Sequence, residues 1–154
     1  MHKIGKLTQS LVTKIPCKID TDIYKHYNKT IPYFEGEAVY VYSFKEKKML
    51  FARGWQSLLG YKDDEITMLD IVSITTEKYF NFSNELNDKA LLFIFDKKQD
   101  LEKYSFTLEV EKYHKNGSII PLSSKVGVLK ATNGVLEEII GISRVSLNFK
   151  QSDI

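Results

Sequence analysis

The sequence predicts an α+β protein in which short helices cover one face of a five-stranded antiparallel sheet. Two runs show the period-2 pattern of half-buried strands, with polar residues at odd positions between the apolar ones. The apolar even positions are Phe106, Leu108 and Val110 in the first run and Ile120, Leu122, Val126 and Val128 in the second. Asn116-Gly117 lies between the two runs, and this dipeptide is the strongest short-range signal for a hairpin turn. A second hairpin and several short helical segments precede this region, an order that favours helices gathered on one side of the sheet.

Composition limits the classes of protein to which the chain can belong. Its 154 residues suffice for one domain with a hydrophobic core. Because 22 Lys and Arg residues nearly balance 20 Asp and Glu residues, no strong positive field exists, and we expect no direct nucleic-acid binding by this segment. Cys17 is the only cysteine, which excludes an intramolecular disulfide and fits a reducing, cytoplasmic location. No apolar run reaches the roughly 20 residues that span a bilayer, so we expect no membrane insertion.

An amphipathic helix is predicted at the amino terminus. Ile4, Leu7, Leu11 and Ile15 recur at spacings of three and four, which places them on one stripe, and Pro16 ends the helix. This stripe is expected to bury itself against the protein's own sheet or against a second copy, so its four residues are a candidate dimer interface. A membrane-surface helix is disfavoured because the stripe is narrow and carries no aromatic residue.

The remaining elements follow in order along the chain. A second helix is predicted from Asp20 or Thr21 to about Tyr27, and a hairpin combines strands from Ala38 and from Met49 to Ala52. Residues 54–60 form a helical turn or two, and Asp63 and Asp64 cap another short segment.

A longer helix is predicted to begin at Thr75 or Thr76 and to be interrupted near Asn87-Asp88. Asn133-Gly134 then turns the chain into a last strand, Leu136 to Leu147, with Ile140 and Ile142 on one face and Ile139 and Val145 on the other. The residues available for burial on the long helix are Tyr79, Phe82, Leu86, Leu91, Phe93 and Phe95.

Particular motifs in this order resemble those of the PAS domain, a sensory module of bacterial signalling proteins. Met49-Leu50-Phe51 leading to Trp55–Tyr61 is similar to the second strand, short helix and closing Leu-Gly-Tyr of the family. Glu109 stands where a glutamate is common, Asn116-Gly117-Ser118 resembles the Asp-Gly-Ser turn, and Ile140–Arg144 resembles the final strand. The resemblance covers about residues 36–147, which leaves residues 1–35 as an amino-terminal helical flank and 148–154 as a tail.

The sequence departs from the family pattern in three places. Ala52 stands where asparagine is frequent, Glu111 stands near a usual basic residue, and Val145-Ser146-Leu147 replaces the Asp-Ile-Thr that commonly leads to an output helix. The resemblance implies a sensory or protein-interaction module in signal transduction that regulates transcription through a linked or partner output domain. It also implies a homodimer.

The resemblance further implies a cupped sheet that holds a small organic ligand. Haem is disfavoured because residues 75–95 contain no histidine, and flavin photochemistry is disfavoured because Cys17 precedes the module. The alternative is that the same apolar residues form an ordinary core. The candidate pocket-lining residues are Phe51, Leu59, Ile71, Phe93, Phe106, Leu108, Leu122, Val126 and Ile142.

Two other functions remain open at this point. One is a structural homodimerisation module without a ligand, and the other is a small α+β enzyme. The sequence contains no Gly-x-Ser-x-Gly, no phosphate-binding glycine loop and no His-Glu-x-x-His, so we expect no catalytic and no metal-binding residues. The polar outer face of the central hairpin is predicted to receive the amino-terminal helix or a second chain, and its residues are Thr107, Glu109, Glu111, Tyr113, Ser123 and Lys125.

Overall fold

The computed structural model describes residues 5–147 and contains the predicted five-stranded antiparallel sheet, with the strand order β2-β1-β5-β4-β3. The strands are β1 (Ala38–Ser43), β2 (Lys48–Arg53), β3 (Ser105–Tyr113), β4 (Ile119–Thr132) and β5 (Val135–Val145). The helices are α1 (Lys6–Leu11), α2 (Asp22–Thr30), α3 (Trp55–Leu59), α4 (Met68–Ser73) and α5 (Glu77–Phe95), and a short 3-10 helix spans Leu101–Lys103. The tail at 148–154 lies outside the described residues.

Both predicted Asn-Gly turns are present, with different geometry. Asn133 and Gly134 have φ angles of 52° and 76°, as a tight hairpin turn requires. At the central hairpin only Gly117 has a positive φ, and the Asn116 side chain accepts hydrogen bonds from the Ser118 backbone and hydroxyl at 2.9 and 2.7 Å. The central turn is therefore wider, because an asparagine side chain replaces part of its backbone hydrogen bonding.

The amino-terminal helix is shorter than predicted. It ends at Leu11, and the chain then extends along the domain, where Thr13 O accepts from Leu69 N at 3.3 Å and Ile15 O from Met49 N at 3.1 Å. β-branched Val12 and Thr13 favour this extended conformation. Ile15 is consequently not on the helix and is 47% exposed, while Leu7 and Leu11 are half-buried and Ile4 lies outside the described residues.

The second helix covers the outer face of the sheet, opposite the other helices. Tyr24 and Tyr27 of α2 pack on the apolar cluster formed by Val39, Val41 and Phe51. Docking of a second chain on the outer face of β3 and β4 stays a prediction. The predicted docking of the amino-terminal helix there is wrong, because α1 lies against α5, where Thr8 donates to Asp88. The physical reason is that the apolar outer residues lie on β1, β2 and β5, whereas the six residues from Thr107 to Lys125 proposed for docking are polar or aromatic-polar.

Helices α3 and α4 cover one half of the inner face. Trp55 and Leu59 are fully buried there, and the Trp55 indole donates to Val39 O at 3.0 Å. The cap prediction for Asp63 is wrong, because its carboxylate accepts from Trp55 N at 3.2 Å in the preceding helix. Helix α4 instead begins at a capping box between Thr67 and Asp70.

Helix α5 runs for 19 residues without the interruption predicted near Asn87-Asp88. Asp88 does not disturb its own helix, since its carboxylate accepts hydrogen bonds from α1. The buried face also differs from the prediction. Phe82, Phe93 and Phe95 are 53%, 50% and 40% exposed, and the buried residues are Phe80, Ser83, Asn84 and Ile94.

Candidate functional site

A cavity of about 400 Å³ lies between α5 and the inner face of the sheet, beside the half that α3 and α4 cover. This volume is within the roughly 300–1,000 Å³ in which proteins hold small organic ligands. Most of its wall is apolar, and α1 closes one side through Thr8 and Val12. The other lining residues are Tyr40, Phe44, Met68, Val72, Leu86, Asn87, Lys89, Ala90, Leu91, Phe93, Ile94, Tyr104, Ser105, Phe106, Val126, Gly127, Val128, Leu136 and Ile139.

The predicted pocket residues divide into three groups. Phe93, Phe106 and Val126 line this cavity. Four others are part of the packed core of the inner face and do not line it: Leu59, Ile71, Leu108 and Leu122. They lie in the half of the sheet that α3 and α4 cover, so other side chains already occupy the space around them.

Phe51 and Ile142 lie on the outer face of the sheet, in the cluster that α2 covers. For Phe51 the reason is a bulge in the pairing of β1 with β2, where Val41 pairs with Phe51 and Tyr42 with Met49. The bulge moves Phe51 to the face opposite Met49 although the two are two residues apart. Ile142 lies on the outer face because residues of β5 alternate regularly between the two faces, and Ile139 is on the face that borders the cavity.

Sequence analysis missed Tyr40, a polar and buried side chain in the cavity wall. Tyr40 is 4% exposed, and its ring lies over Gly141 of the neighbouring strand, where an added Cβ would overlap the ring. A glycine inside a strand indicates a close approach of another group, and Gly141 is such a signal in the sequence. Burial raises the pKa of the Tyr40 hydroxyl well above its ordinary value, so this group remains protonated at neutral pH.

The mouth of the cavity is formed by aromatic side chains of α5 and of the segment before β3. The Phe93 and Tyr104 rings meet edge to face, with centroids 5.1 Å apart. Lys97 lies over the Phe93 ring at 4.5 Å, and Lys89 pairs with Glu85 at 2.8 Å. These cations are at the surface, so the interior of the cavity contains no fixed charge from the described lining residues.

The amino-terminal helix is attached to α5 by Asp88. The Asp88 carboxylate accepts from Thr8 N at 3.0 Å and from the Thr8 hydroxyl at 2.6 Å. Because α1 has no capping side chain of its own, Asp88 caps this helix from another element. A Cβ at Gly5 would overlap the Asp88 carboxylate, so the close approach requires glycine there.

The residues do not fit a flavin-cysteine adduct, and no described histidine is placed to bind a haem iron in the cavity. The Cys17 thiol is buried away from the cavity and donates to Asp63 O at 3.1 Å, and burial raises its pKa to about 11. Neither His26 nor His114 lines the cavity. Within residues 5–147, no group of three His, Cys, Asp or Glu side chains is arranged to hold a metal ion.

Solved structures with the same arrangement of strands and helices are PAS and light-oxygen-voltage domains. The N-terminal domain of a diguanylate cyclase with PAS/PAC sensor from Marinobacter aquaeolei has a TM-score of 0.58 and 14% identity, covering 73% of this chain and 98% of the other. The chain has the PAS fold. A PAS domain from Colwellia psychrerythraea also has a TM-score of 0.58, with 17% identity and coverage of 82% and 99%. A light-oxygen-voltage domain studied with a flavin analogue has a TM-score of 0.55, with 16% identity and coverage of 88% and 93%.

Sequence comparison gives no corresponding result, since no protein-family model and no curated protein matches the chain. The PAS fold agrees with the resemblance carried by the Trp55–Tyr61 and Ile140–Arg144 motifs. Among the described helices, none is long and apolar enough to cross a membrane.

Proposed function

We propose that the protein is a PAS-type sensory module in signal transduction, in which a small organic molecule in the cavity supplies the signal. The observation that carries this proposal is the composition of the cavity wall. Helix α5, strands of the sheet and Thr8 and Val12 of the α1 region all contribute to it. An occupant would therefore contact the rigid sheet and a flanking helix at the same time.

The mechanism follows from the way α1 is held. Hydrogen bonds to Asp88 and from Tyr42 hold a helix of only six residues, which has little stability of its own. A ligand that binds one arrangement of α1 on α5 more tightly than another shifts the population toward that arrangement. The change in α1 would then be read by a linked or partner output domain.

The output is proposed to be regulatory and non-catalytic in this segment, with transcription as one possible target. Support for a signalling context comes from the diguanylate cyclase with PAS/PAC sensor, whose N-terminal domain has the same fold. Ser146, near the end of β5, is buried and donates a hydrogen bond to Glu109 of β3. This contact links the end of the sheet to the central hairpin and offers a second route to an output domain.

The test is to identify what the cavity binds. The protein is purified, denatured and analysed by mass spectrometry for released small molecules, and a compound library is screened by thermal shift. Val126→Trp, which places an indole in the cavity, is the matched control. We expect a released compound or a thermal shift for the wild-type protein and neither for the variant. If the wild-type protein releases no compound and no library member shifts its melting temperature, the proposal fails.

A homodimer is the second proposal, and the exposure of Ile15 and Ile19, at 47% and 52%, favours it. Two apolar side chains at the surface of the segment between α1 and α2 are a candidate contact for a second copy. Ile15→Asp is expected to convert a dimer to a monomer in light scattering, with Lys14→Asp as the matched control. A monomeric mass for the wild-type protein, or a dimer that Ile15→Asp leaves intact, contradicts this interface.

A further inference from the structure

Tyr40 differs from the other tyrosines of the core in its hydrogen bonding. The Tyr42 hydroxyl donates to Leu11 O at 2.7 Å, the Tyr24 hydroxyl to Ala52 O at 2.8 Å, and the Tyr27 hydroxyl to Glu138. The Tyr40 hydroxyl has no hydrogen-bond partner among residues 5–147. No fully buried side-chain nitrogen or oxygen of the described residues lacks a partner, so the Tyr40 hydroxyl retains contact with open space. It is a donor for which the protein itself supplies no acceptor.

The position of the Tyr40 ring directs this hydroxyl into the cavity. Tyr40 pairs with Gly141 of β5, and Gly141 pairs with Val126 of β4. The far end of the ring, with its Cζ and hydroxyl, lies over Gly141, and both Tyr40 and Val126 line the cavity. The ring thus reaches across β5 because Gly141 has no side chain to block it.

The surroundings of the hydroxyl restrict the charge of an occupant. Among the described residues that line the cavity, Lys89 is the only side chain that is charged at neutral pH, and its ammonium is at the surface beside Glu85. A carboxylate or ammonium placed next to Tyr40 would have no counter-ion there. Burying such an unpaired charge is strongly unfavourable.

We propose that the cavity takes a neutral, mainly apolar molecule with one hydrogen-bond acceptor, and that the Tyr40 hydroxyl donates to this acceptor. Chemical groups of this class are a ketone, an ether oxygen or a heteroaromatic nitrogen. The inference rests on the proposed sensory function, because it assumes that the cavity binds a ligand. Tyr40 then orients the occupant with its polar end toward β5 and its apolar body between Phe93 and Phe106.

The test compares matched probe compounds on the wild-type protein and on Tyr40→Phe, which removes only the hydroxyl. The probes are 1-tetralone, tetralin, which lacks the ketone, and 2-naphthoate, which is an anion of similar shape. Dissociation constants are measured by NMR titration. We expect the wild-type protein to bind 1-tetralone about tenfold more tightly than tetralin, the effect of roughly one hydrogen bond. Tyr40→Phe should remove this difference and leave tetralin binding unchanged, and 2-naphthoate should bind most weakly.

Melting temperatures and a second variant, Tyr42→Phe, control for a general loss of stability. Tyr40→Phe should melt at or above the wild-type temperature, because no protein partner of the hydroxyl is lost. Tyr42→Phe, which loses its bond to Leu11, should melt lower and keep the preference for 1-tetralone.

The possible failures are distinct. Equal binding of 1-tetralone and tetralin to the wild-type protein overturns the role of Tyr40 while the sensory function stands. Tighter binding of 2-naphthoate overturns the neutral class. If none of the three probes binds the wild-type protein, the neutral one-acceptor class is overturned, and the library screen decides separately whether the ligand-sensing function stands.

Discussion

The two halves of the inner layer differ in packing although one sheet supports both. Under α3 and α4, Trp55, Leu59 and Leu122 are fully buried and leave no space. Under α5, Phe106 and Val126 border a cavity of about 400 Å³. The comparison indicates that one sheet can support a tightly packed half beside a half that retains open space. Four predictions test this division, from the largest expected effect to the smallest.

Truncation of a large aromatic residue should lower the free energy of unfolding strongly in the packed half and only slightly in the open half. Trp55→Ala removes a fully buried ring and its hydrogen bond to Val39, and we expect a loss of about 3–5 kcal/mol in the free energy of unfolding. Phe93→Ala removes a ring that is 50% exposed at the cavity mouth, and should cost about 1 kcal/mol. Urea denaturation measures both. Equal losses would contradict the division into two halves.

The packed half contains a buried lysine that should make stability depend on pH. Lys112 is 6% exposed, its ammonium donates to Ile71 O and to the Thr75 hydroxyl, and burial lowers its pKa to about 8. In the unfolded chain a lysine has a pKa of about 10.4. Between these values the unfolded state binds more protons, so the contribution of Lys112 to stability rises with pH, by about 1–2 kcal/mol between pH 8 and 9.5.

Lys112→Met should remove this contribution, and Lys89→Met, at the cavity mouth, should retain it. The measurement is urea denaturation at pH 8 and 9.5 for the wild-type protein and both variants. Both proteins contain Cys17, whose raised pKa makes stability fall as pH rises. Subtracting the pH dependence of Lys112→Met from that of the wild-type protein therefore leaves the contribution of Lys112. If Lys112→Met keeps the full pH dependence of the wild-type protein, Lys112 is not the group responsible.

Added volume should have opposite effects at two positions of β4. Leu122→Trp forces an indole into the packed half and should destabilise the protein by about 1–3 kcal/mol. Val126→Trp, four residues later, fills the cavity and should stabilise by about 1 kcal/mol through additional apolar burial. Thermal or urea unfolding checks the pair. A strong destabilisation by Val126→Trp would show that the space beside it is not available.

Loosening α1 should have the smallest effect on stability. Asp88→Asn keeps an acceptor for the Thr8 backbone but removes the negative charge at the start of the helix, and we expect a loss of about 0.5–1 kcal/mol. Asp64→Asn, in an exposed turn, is the control. Hydrogen exchange of the α1 amides should accelerate in Asp88→Asn and remain unchanged in Asp64→Asn. If hydrogen exchange of the α1 amides is unchanged in both variants, the Asp88 carboxylate does not hold α1 in place.

The sheet could be predicted from the sequence because its signals are local. The alternation from Phe106 to Val128 and the Asn133-Gly134 turn define strands and hairpins over a few residues. The cap of α1 could not be predicted in this way, since Asp88 is 80 residues from Thr8. The bulge that moves Phe51 to the outer face also depends on its pairing with β1, which one strand does not reveal.

The cavity was predicted only in part, for a related reason. Three of the nine proposed lining residues border it. Alternation shows which face of a strand is apolar, but it does not show where the helices leave that face uncovered. On α5 the aromatic residues Phe82 and Phe93 suggested the buried face, but small polar residues such as Ser83 and Asn84 allow the helix to approach the domain closely. Tyr40 was overlooked because its role depends on Gly141 in another strand.

The central claim, that open space lies between α5 and β4, is tested most directly by xenon binding in a crystal. Apolar cavities bind xenon without any specific ligand chemistry. In crystals pressurised with xenon, the account predicts an anomalous difference peak bounded by Phe93, Phe106 and Val126, which Val126→Trp abolishes. No peak at this position in the wild-type protein would contradict the account.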